Sequence, residues 1–405
     1  MASPAPPISD HQAWPPLLSL TDDILEEIFL RLPTPTDLAR ACTARASFRR
    51  IITARSFLRR FRALHPPPLL GFVACEEHGF YPAEPPYPSA PLARAVAGAA
   101  DFSYSFVPEG KWNKPWSTWI PCDVRQGRVL LQCCRDPNYT FMAPFYVELA
   151  VCDPMFRRYV LLPPIPRDLV AQHGRLSDLG LLLAPTGEDE EETSFRVMCL
   201  SSNNNGLVAF AYSSVTGHWC IAASATWGCL GTVAPVSHGS FSMFDYSQGC
   251  TWRERSLVLD TMRMQFSIVQ NVPYHLHKLD TGVPLIVVGT EGTPEMFFLS
   301  DSFDLLHFHV MNRNEPSDKW QLKNTIPLPS YYIYYLTLGA AEGFLFLRGI
   351  PKNQGLVPSL EHPDDYCVLD AKTSKLEKVC GIHEECFFRL NAYFGFPPSL
   401  PKPCI

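Results

Sequence analysis

The spacing of apolar positions changes once along this chain. Up to about residue 64 they recur at helical intervals, and after Pro68 they fall into short runs. In the first region Ile24, Leu25, Ile28, Phe29 and Leu32 share one face of a helix of 3.6-residue period. Thr21 stands where an N-cap belongs, and Asp22 and Asp23 put negative charge in the first turn, where the helix dipole favours it. Pro33 predicts the stop, and Thr34-Pro35 a fresh start with Pro in the first turn. Leu38, Ala41 and Cys42 give a second stripe. Phe48, Ile51 and Ile52 give a third, and Phe57, Leu58, Phe61 and Leu64 a fourth. Short helices alone lack the area to bury so many apolar faces. The segment is therefore either a helical cap on the β-rich remainder of the chain or a module completed by a partner's helix.

His65-Pro66-Pro67-Pro68 makes a stiff boundary. Beyond it come runs led by glycine: GFVAC from Gly71, GRVLLQC from Gly127, GLLLAP from Gly180, GTVAPV from Gly231, GVPLIVVG from Gly282 and GFLFLRG from Gly343. The glycines lie 51 to 61 residues apart, near the period of four-stranded kelch-type propeller blades, although Gly206, which opens GLVAFAY, falls off it. FRVMCL, GLVAFAY and HWCIAA read as strands, with Asn204-Asn205-Gly206 and Thr216-Gly217 as the turns between them. Three stretches, from Leu149, Ser256 and Tyr366, repeat one unit: apolar strand, Asp, a few polar residues, strand. These features predict almost only strands after residue 68.

Composition narrows the function. With 46% apolar residues, 18% charged residues and 39 Pro in 405, the chain is globular and turn-rich. Net charge is −6 and uneven: residues 1–65 hold nine Arg, no Lys and six acids, which leaves the remainder acidic. An acidic body disfavours general nucleic-acid binding. The run Glu188–Glu192 reads as a solvated loop. Met1 to Asp10 has neither a basic start nor an apolar run, so no secretory signal is expected, and the 14 Cys are expected reduced and mostly buried. No apolar stretch approaches the roughly 20 residues that span a bilayer.

Few residues suggest chemistry. Cys380, His383 and Cys386 have Cys-x2-His-x2-Cys spacing, but a closed zinc site needs a fourth ligand and none lies nearby at the usual spacing. His275 with His277, and His307 with His309, alternate along strands and can share a face. Asp245, Asp260 and Asp370 sit where strand turns ordinarily use Asp. There is no phosphate loop, nucleophile elbow or dinucleotide fingerprint, so no cofactor, metal or catalytic centre is expected. Trp112, Trp116 and Trp119 cluster, as do Tyr331, Tyr332, Tyr334 and Tyr335; such clusters serve recognition surfaces or fill cores between blades.

The segment SLTDDILEEIFLRLP resembles the opening of an F-box, whose usual pattern is Leu-Pro, acidic residues, an apolar helix and a second Leu-Pro. Leu32-Pro33 matches that second pair and Leu38 the following leucine, and Phe48-Arg49-Arg50-Ile51-Ile52 falls where the family has Trp-Arg-Arg-Leu-Ile. Thr21 replaces the first proline and Phe48 the tryptophan. The wider run from Ala46 to Phe72 resembles the large F-box family of grasses with a β-rich associated domain, which also shows the strand-Asp-turn-strand unit.

The expected chain is thus multidomain, α plus all-β: a disordered 1–17, a helical F-box at 18–64, and at 69–400 a β-propeller-like domain of kelch type with about six blades, a β-sandwich being the alternative. The resemblance implies the substrate-recognition adaptor of a Skp–cullin–F-box ubiquitin ligase, itself not an enzyme, in the cytoplasm or nucleus. It would dock on a Skp-type adaptor, and through it on cullin, by Leu20, Ile24, Leu25, Ile28, Leu32, Pro33, Leu38, Phe48 and Ile51. The β domain would hold a protein substrate; membrane and nucleic acid are not expected partners. Two other readings stay open: a propeller hydrolase or carbohydrate binder with a helical cap, and an F-box protein outside any ligase.

Overall fold

A computed structural model describes residues 20–33, 35–74, 79–109, 118–134, 148–174, 176–184, 194–229, 241–243, 247–251, 255–260, 263–270, 285–288, 294–300, 302–312, 319–341, 344–352, 363–370, 373–383 and 390–395. Residues 1–17, Trp112, Trp116, Glu188–Glu192, Asp245, His275, His277 and Cys386 lie outside them. The chain divides into two compact units, Met1–Pro67 and Pro68–Ile405.

The first unit holds α1 (Asp22–Leu30), α2 (Pro35–Ala44), α3 (Ala46–Ile52) and α4 (Arg55–Leu64). Thr21 occupies the N-cap of α1 with extended backbone, but its side chain makes no cap bond; its carbonyl accepts from Leu25 N at 3.0 Å. Helices this short are marginal alone, so packing holds them. Their core is Leu25, Phe29, Leu30, Leu38, Ile51, Ile52, Phe57 and Phe61, with Leu20, Leu32, Ala41, Cys42, Phe48 and Leu58 packed against it. The Phe29 and Phe48 rings meet edge-on at 5.0 Å. Leu64, expected on the apolar face of α4, is instead exposed.

The second unit is a β-propeller, built of separate antiparallel sheets. Among the described residues there are five four-stranded blades. The first comprises β3 (Thr118–Arg125), β4 (Arg128–Cys134), β5 (Glu148–Asp153) and β6 (Arg158–Leu161); the second β7 (Ser177–Ala184), β8 (Arg196–Ser202), β9 (Gly206–Ser213) and β10 (His218–Thr226). The third comprises β11 (Phe241–Met243), β12 (Ser247–Thr251), β13 (Arg255–Asp260) and β14 (Gln265–Gln270); the fourth β15 (Leu285–Val288), β16 (Pro294–Leu299), β17 (Leu305–Asn312) and β18 (Lys319–Pro327). The fifth comprises β19 (Tyr332–Ala341), β20 (Phe344–Pro351), β21 (Asp364–Asp370) and β22 (Lys375–Ile382). A further three-stranded sheet pairs β1 (Leu69–Ala74) with β2 (Phe80–Pro82) and with β23 (Leu390–Phe394), so it joins the two ends of the β region.

About six kelch-type blades were expected, and five full ones form. The glycine spacing misleads because the glycines are not equivalent. Gly71 lies within the three-stranded sheet, Gly127 in the β3–β4 turn and Gly180 inside a first strand. Two helices interrupt the expected all-strand region, α5 (Ala90–Ala99) and α6 (Arg167–Ala171). The signal for α5 was present: Ala90, Ala93 and Val96 recur every three residues and are buried, with Pro in the first turn.

The cores lie between sheets. In the second blade Leu181, Leu183, Val197, Cys199, Val208, Phe210, Tyr212 and Trp219 join a cluster with Leu130, Leu149 and Val151 of the first blade. The alternate residues Leu182, Met198, Leu200, Leu207, Ala209 and Ala211 join Leu259 and Phe266 of the third. A period of two thus sends neighbouring side chains to two different cores. That is why the inner strands read as continuous apolar runs while the outer β10 alternates in exposure.

The strand-Asp-turn-strand unit is one recurring hairpin between the third and fourth strands of a blade. It closes on the pairs Asp153–Arg158, Asp260–Gln265 and Asp370–Lys375, and the second blade uses Ser213–His218 in the same way. In each the residue before the fourth strand is left-handed: Arg157 at φ 51°, Met264 at 53°, Ser374 at 58° and Gly217 at 72°. The lead side chain caps the turn. Asp153 Oδ1 accepts from Met155 N at 3.1 Å and Phe156 N at 3.2 Å, and Asp370 Oδ2 from Thr373 Oγ1 at 2.8 Å.

Two expected outcomes come from this packing. Gly71 has φ +144°, and a Cβ there would lie 2.1 Å from the Tyr81 carbonyl, whereas Gly217 has nothing within 4 Å of its would-be Cβ. Gly71→Ala therefore adds an overpacking cost of about 1–3 kcal/mol to backbone strain, and Gly217→Ala carries the strain alone. Thermal melting of the two variants should show the larger loss for Gly71→Ala. In the fourth blade His309 is buried, its Nδ1 lacks a hydrogen-bond partner, and its ring lies 5.1 Å from that of Phe298. Burial first, then the neighbouring His307, lowers its pKa to about 4. With the folded pKa below the unfolded value, between pH 6.5 and 4 the unfolded chain binds a proton the folded one does not. Stability falls as pH drops through that window, and His309→Phe should flatten the fall in melting temperature measured across it.

Candidate functional site

The sequence singled out two kinds of candidates, chemical and docking. Among the described residues the chemical ones do not converge. Cys380 is buried in β22 while His383 is exposed. Thr325 Oγ1 lies 3.4 Å from His307 Nδ1, and both His307 and His309 pack on Phe298. No group of three or more His, Cys, Asp or Glu among the described residues is placed to hold a metal ion. Cys42, Cys152, Cys220, Cys229, Cys367 and Cys380 are free thiols. Burial pushes Cys367 up to about 12, which leaves it a poor nucleophile at neutral pH. The tyrosine cluster divides: Tyr332 and Tyr335 are core, and Tyr331 is exposed. Trp119 donates from Nε1 to the Pro108 carbonyl at 2.9 Å. No described helix is long and apolar enough to cross a membrane.

The docking candidates sort by burial. Leu25, Leu38 and Ile51 were expected at the partner surface. They are instead buried in the core of the helical unit. Leu20, Leu32 and Phe48 are half-buried against that core. Pro33 is exposed. Ile24 and Ile28 are 48% and 39% exposed, one turn apart on α1. Among the nine predicted residues, Ile24 and Ile28 thus form an exposed apolar flank of α1, and Pro33 is exposed just beyond its end.

Around α1 successive residues turn by about 100°. Leu25, Phe29 and Leu30 point into the core, Glu26 and Glu27 bracket Leu30 on one side, and Ile24 and Ile28 lie beyond Leu25 on the other. Polar side chains of the neighbouring segments grip the helix at three places. Arg50 Nη2 of α3 donates to Asp22 Oδ2 at 2.6 Å. Arg60 of α4 donates from Nη1 to Glu26 Oε1 at 2.7 Å and from Nη2 to Glu27 Oε1. His65 Nε2 donates to the Leu30 carbonyl at the C-terminus of α1, at 2.7 Å, and its ring lies 4.4 Å from that of Phe61. Hydrogen bonding to Glu27, then to Glu26, raises the Arg60 pKa above its ordinary value.

These partners stand about thirty residues apart in sequence, so local pattern could not pair them. The available signal was coarser: four acids within α1 and arginines throughout α3 and α4.

No known family model matches the chain, and no curated protein matches it. Solved structures similar to it include TolB from Acinetobacter baumannii, 12% identical, covering 63% of this chain and 53% of that one at a TM-score of 0.34. An α-L-arabinofuranosidase from Clostridium thermocellum is 12% identical over 67% of this chain and 96% of its own, at a TM-score of 0.32. The Dos1 propeller is 10% identical over 63% and 57%, at 0.30. The chain spans about half the length of the TolB structure. Likeness at this level says nothing of activity or substrate.

Proposed function

We propose that this chain is the substrate-recognition adaptor of a Skp–cullin–F-box ubiquitin ligase. The helical unit docks on a Skp-type adaptor, and the propeller presents a protein substrate. The observation that carries the reading is the exposed pair Ile24 and Ile28 on a helix whose opposite face is buried, within the segment that resembles an F-box. Exposed isoleucines one turn apart are the anchors that a helix-packing partner needs. The chain breaks no bonds in this reading. It raises the concentration of substrate lysines near a ubiquitin-charged enzyme, which is proximity rather than chemistry.

The roles of the predicted residues then separate. Ile24, Ile28 and Pro33 meet the adaptor. Leu25, Leu38 and Ile51 keep the helices together, and Leu20, Leu32 and Phe48 form the rim between core and surface. The net positive charge of the first 65 residues favours an acidic docking partner.

Titration of a purified Skp-type adaptor onto the full chain tests this. Central interface anchors cost at least about 2 kcal/mol each on truncation, and tenfold in affinity is about 1.4 kcal/mol. Ile24→Ala with Ile28→Ala should weaken binding at least about a hundredfold with the melting curve unchanged. Leu25→Ala should instead lower stability by about 2–5 kcal/mol. An adaptor affinity within threefold of wild type in the folded double variant would remove the proposed docking surface.

A further inference from the structure

We propose that Arg60 is the positioning residue of this surface: its two-pronged grip on Glu26 and Glu27 fixes the roll of α1 about its own axis, and so decides which flank faces outward. The purpose of this grip rests on the docking reading, and its geometry on the helical unit alone.

Little within α1 itself fixes its orientation. It has nine residues and no side-chain cap bond at Thr21. Such a helix has little stability of its own, so its orientation is set by its neighbours. Its core contacts, Leu25, Phe29 and Leu30, are aliphatic and aromatic side chains. Apolar contact is non-directional, so it resists separation of the helices far more than rotation of one of them. Rotation by a single position, about 100°, would carry Ile24 and Ile28 into the places of Leu25 and Phe29, Phe29 into that of Leu30, Leu25 to the edge of the core and Leu30 toward water. With two isoleucines gained and two leucines given up, the apolar area buried would change little. Hydrophobicity alone therefore separates the two arrangements poorly.

The ion pairs separate them. A guanidinium is planar and donates in fixed directions, which makes a two-carboxylate contact geometrically selective. Arg60 Nη1 reaches Glu26 and Nη2 reaches Glu27, two consecutive residues of α1 that straddle a single flank. Turning the helix by one position removes at least one of these carboxylates from reach. Arg50 on Asp22 and His65 on the Leu30 carbonyl hold the two ends of α1. Arg50 holds the first turn by one carboxylate and His65 the last by a backbone carbonyl, and Arg60, at mid-helix with two carboxylates, sets the angle about the axis most directly. The Arg60 side chain is 51% exposed. An exposed pair adds little to overall stability, so the predicted consequence is a change of face with only a slight change in melting.

Hydroxyl-radical footprinting of the full chain, read residue by residue along α1, tests this without any partner, and adaptor titration is run on the same samples. The variants are Arg60→Met, which keeps an unbranched apolar chain and removes the charge, and the swap Arg60→Glu with Glu26→Arg and Glu27→Arg. In the wild type Ile24 and Ile28 should be modified and Leu25 and Leu30 protected. Arg60→Met should raise modification of Leu25 and Leu30 about fivefold and weaken adaptor binding about tenfold, with a melting temperature close to wild type. The swap should restore both readouts to within about threefold. An unchanged footprint in Arg60→Met overturns the proposal, and so does a changed footprint that the swap fails to reverse. If the footprint responds as expected while the wild type itself does not bind the adaptor, the positioning role stands and the ligase reading fails.

Discussion

The propeller depends on one constraint: its inner strands are apolar on both faces. Val197 and Met198 are neighbours in β8, yet they belong to different cores, one shared with the preceding blade and one with the following blade. A sheet of this kind has no stable solvent-facing side and is satisfied only between two others. The requirement passes from blade to blade until the ends must meet. They meet in the three-stranded sheet, where β1 near the start of the unit pairs with β23 near its end. Phe80 and Phe102 stack there with rings 4.3 Å apart, and Tyr393 meets Phe102 edge-on at 5.1 Å. The Pro68 carbonyl accepts from Gly395 N at 2.9 Å and ties the two ends once more.

The helical unit follows a different economy. Its core is small, with eight buried apolar side chains among the described residues, and much of its definition comes from directional contacts at the surface. Arg50, Arg60 and His65 grip one short helix at its start, middle and end. Such contacts choose a rotation that apolar packing alone leaves open. The propeller is held differently, by apolar cores between its sheets, and it encloses an ion pair, Arg348–Asp364, joined from Arg348 Nε at 2.7 Å.

Local chemistry was readable from the chain. The helix starts and stops around Asp22 and Pro33, the strands FRVMCL, GLVAFAY and HWCIAA, and the Asp-led hairpins at Asp153, Asp260 and Asp370 depend on residues within a few positions of one another. Spacing and turn residues carry that information directly. Ser213 shows the limit, since it serves the same hairpin without the Asp that marked the others. The α5 helix was hidden among prolines and alanines that read as loop, although its three-residue repeat of small side chains packs against the closing sheet.

Only the tertiary structure decided the rest. Apolar spacing put Ile24 and Leu25 in one helix, but it could not say that Leu25 is enclosed and Ile24 exposed, because both fit the same apolar stripe. That choice was made by arginines about thirty residues away. In the same way a series of glycines near fifty residues apart suggested about six equivalent blades. The strand pairing shows five, with the glycines at unlike positions. The physical reason is common to both. Propensity, capping and turn formation are settled between near neighbours, and the sequence by itself determined them. Which face a helix turns outward, and which sheet a strand joins, depends on contacts between distant segments whose energies exist only once the chain has folded.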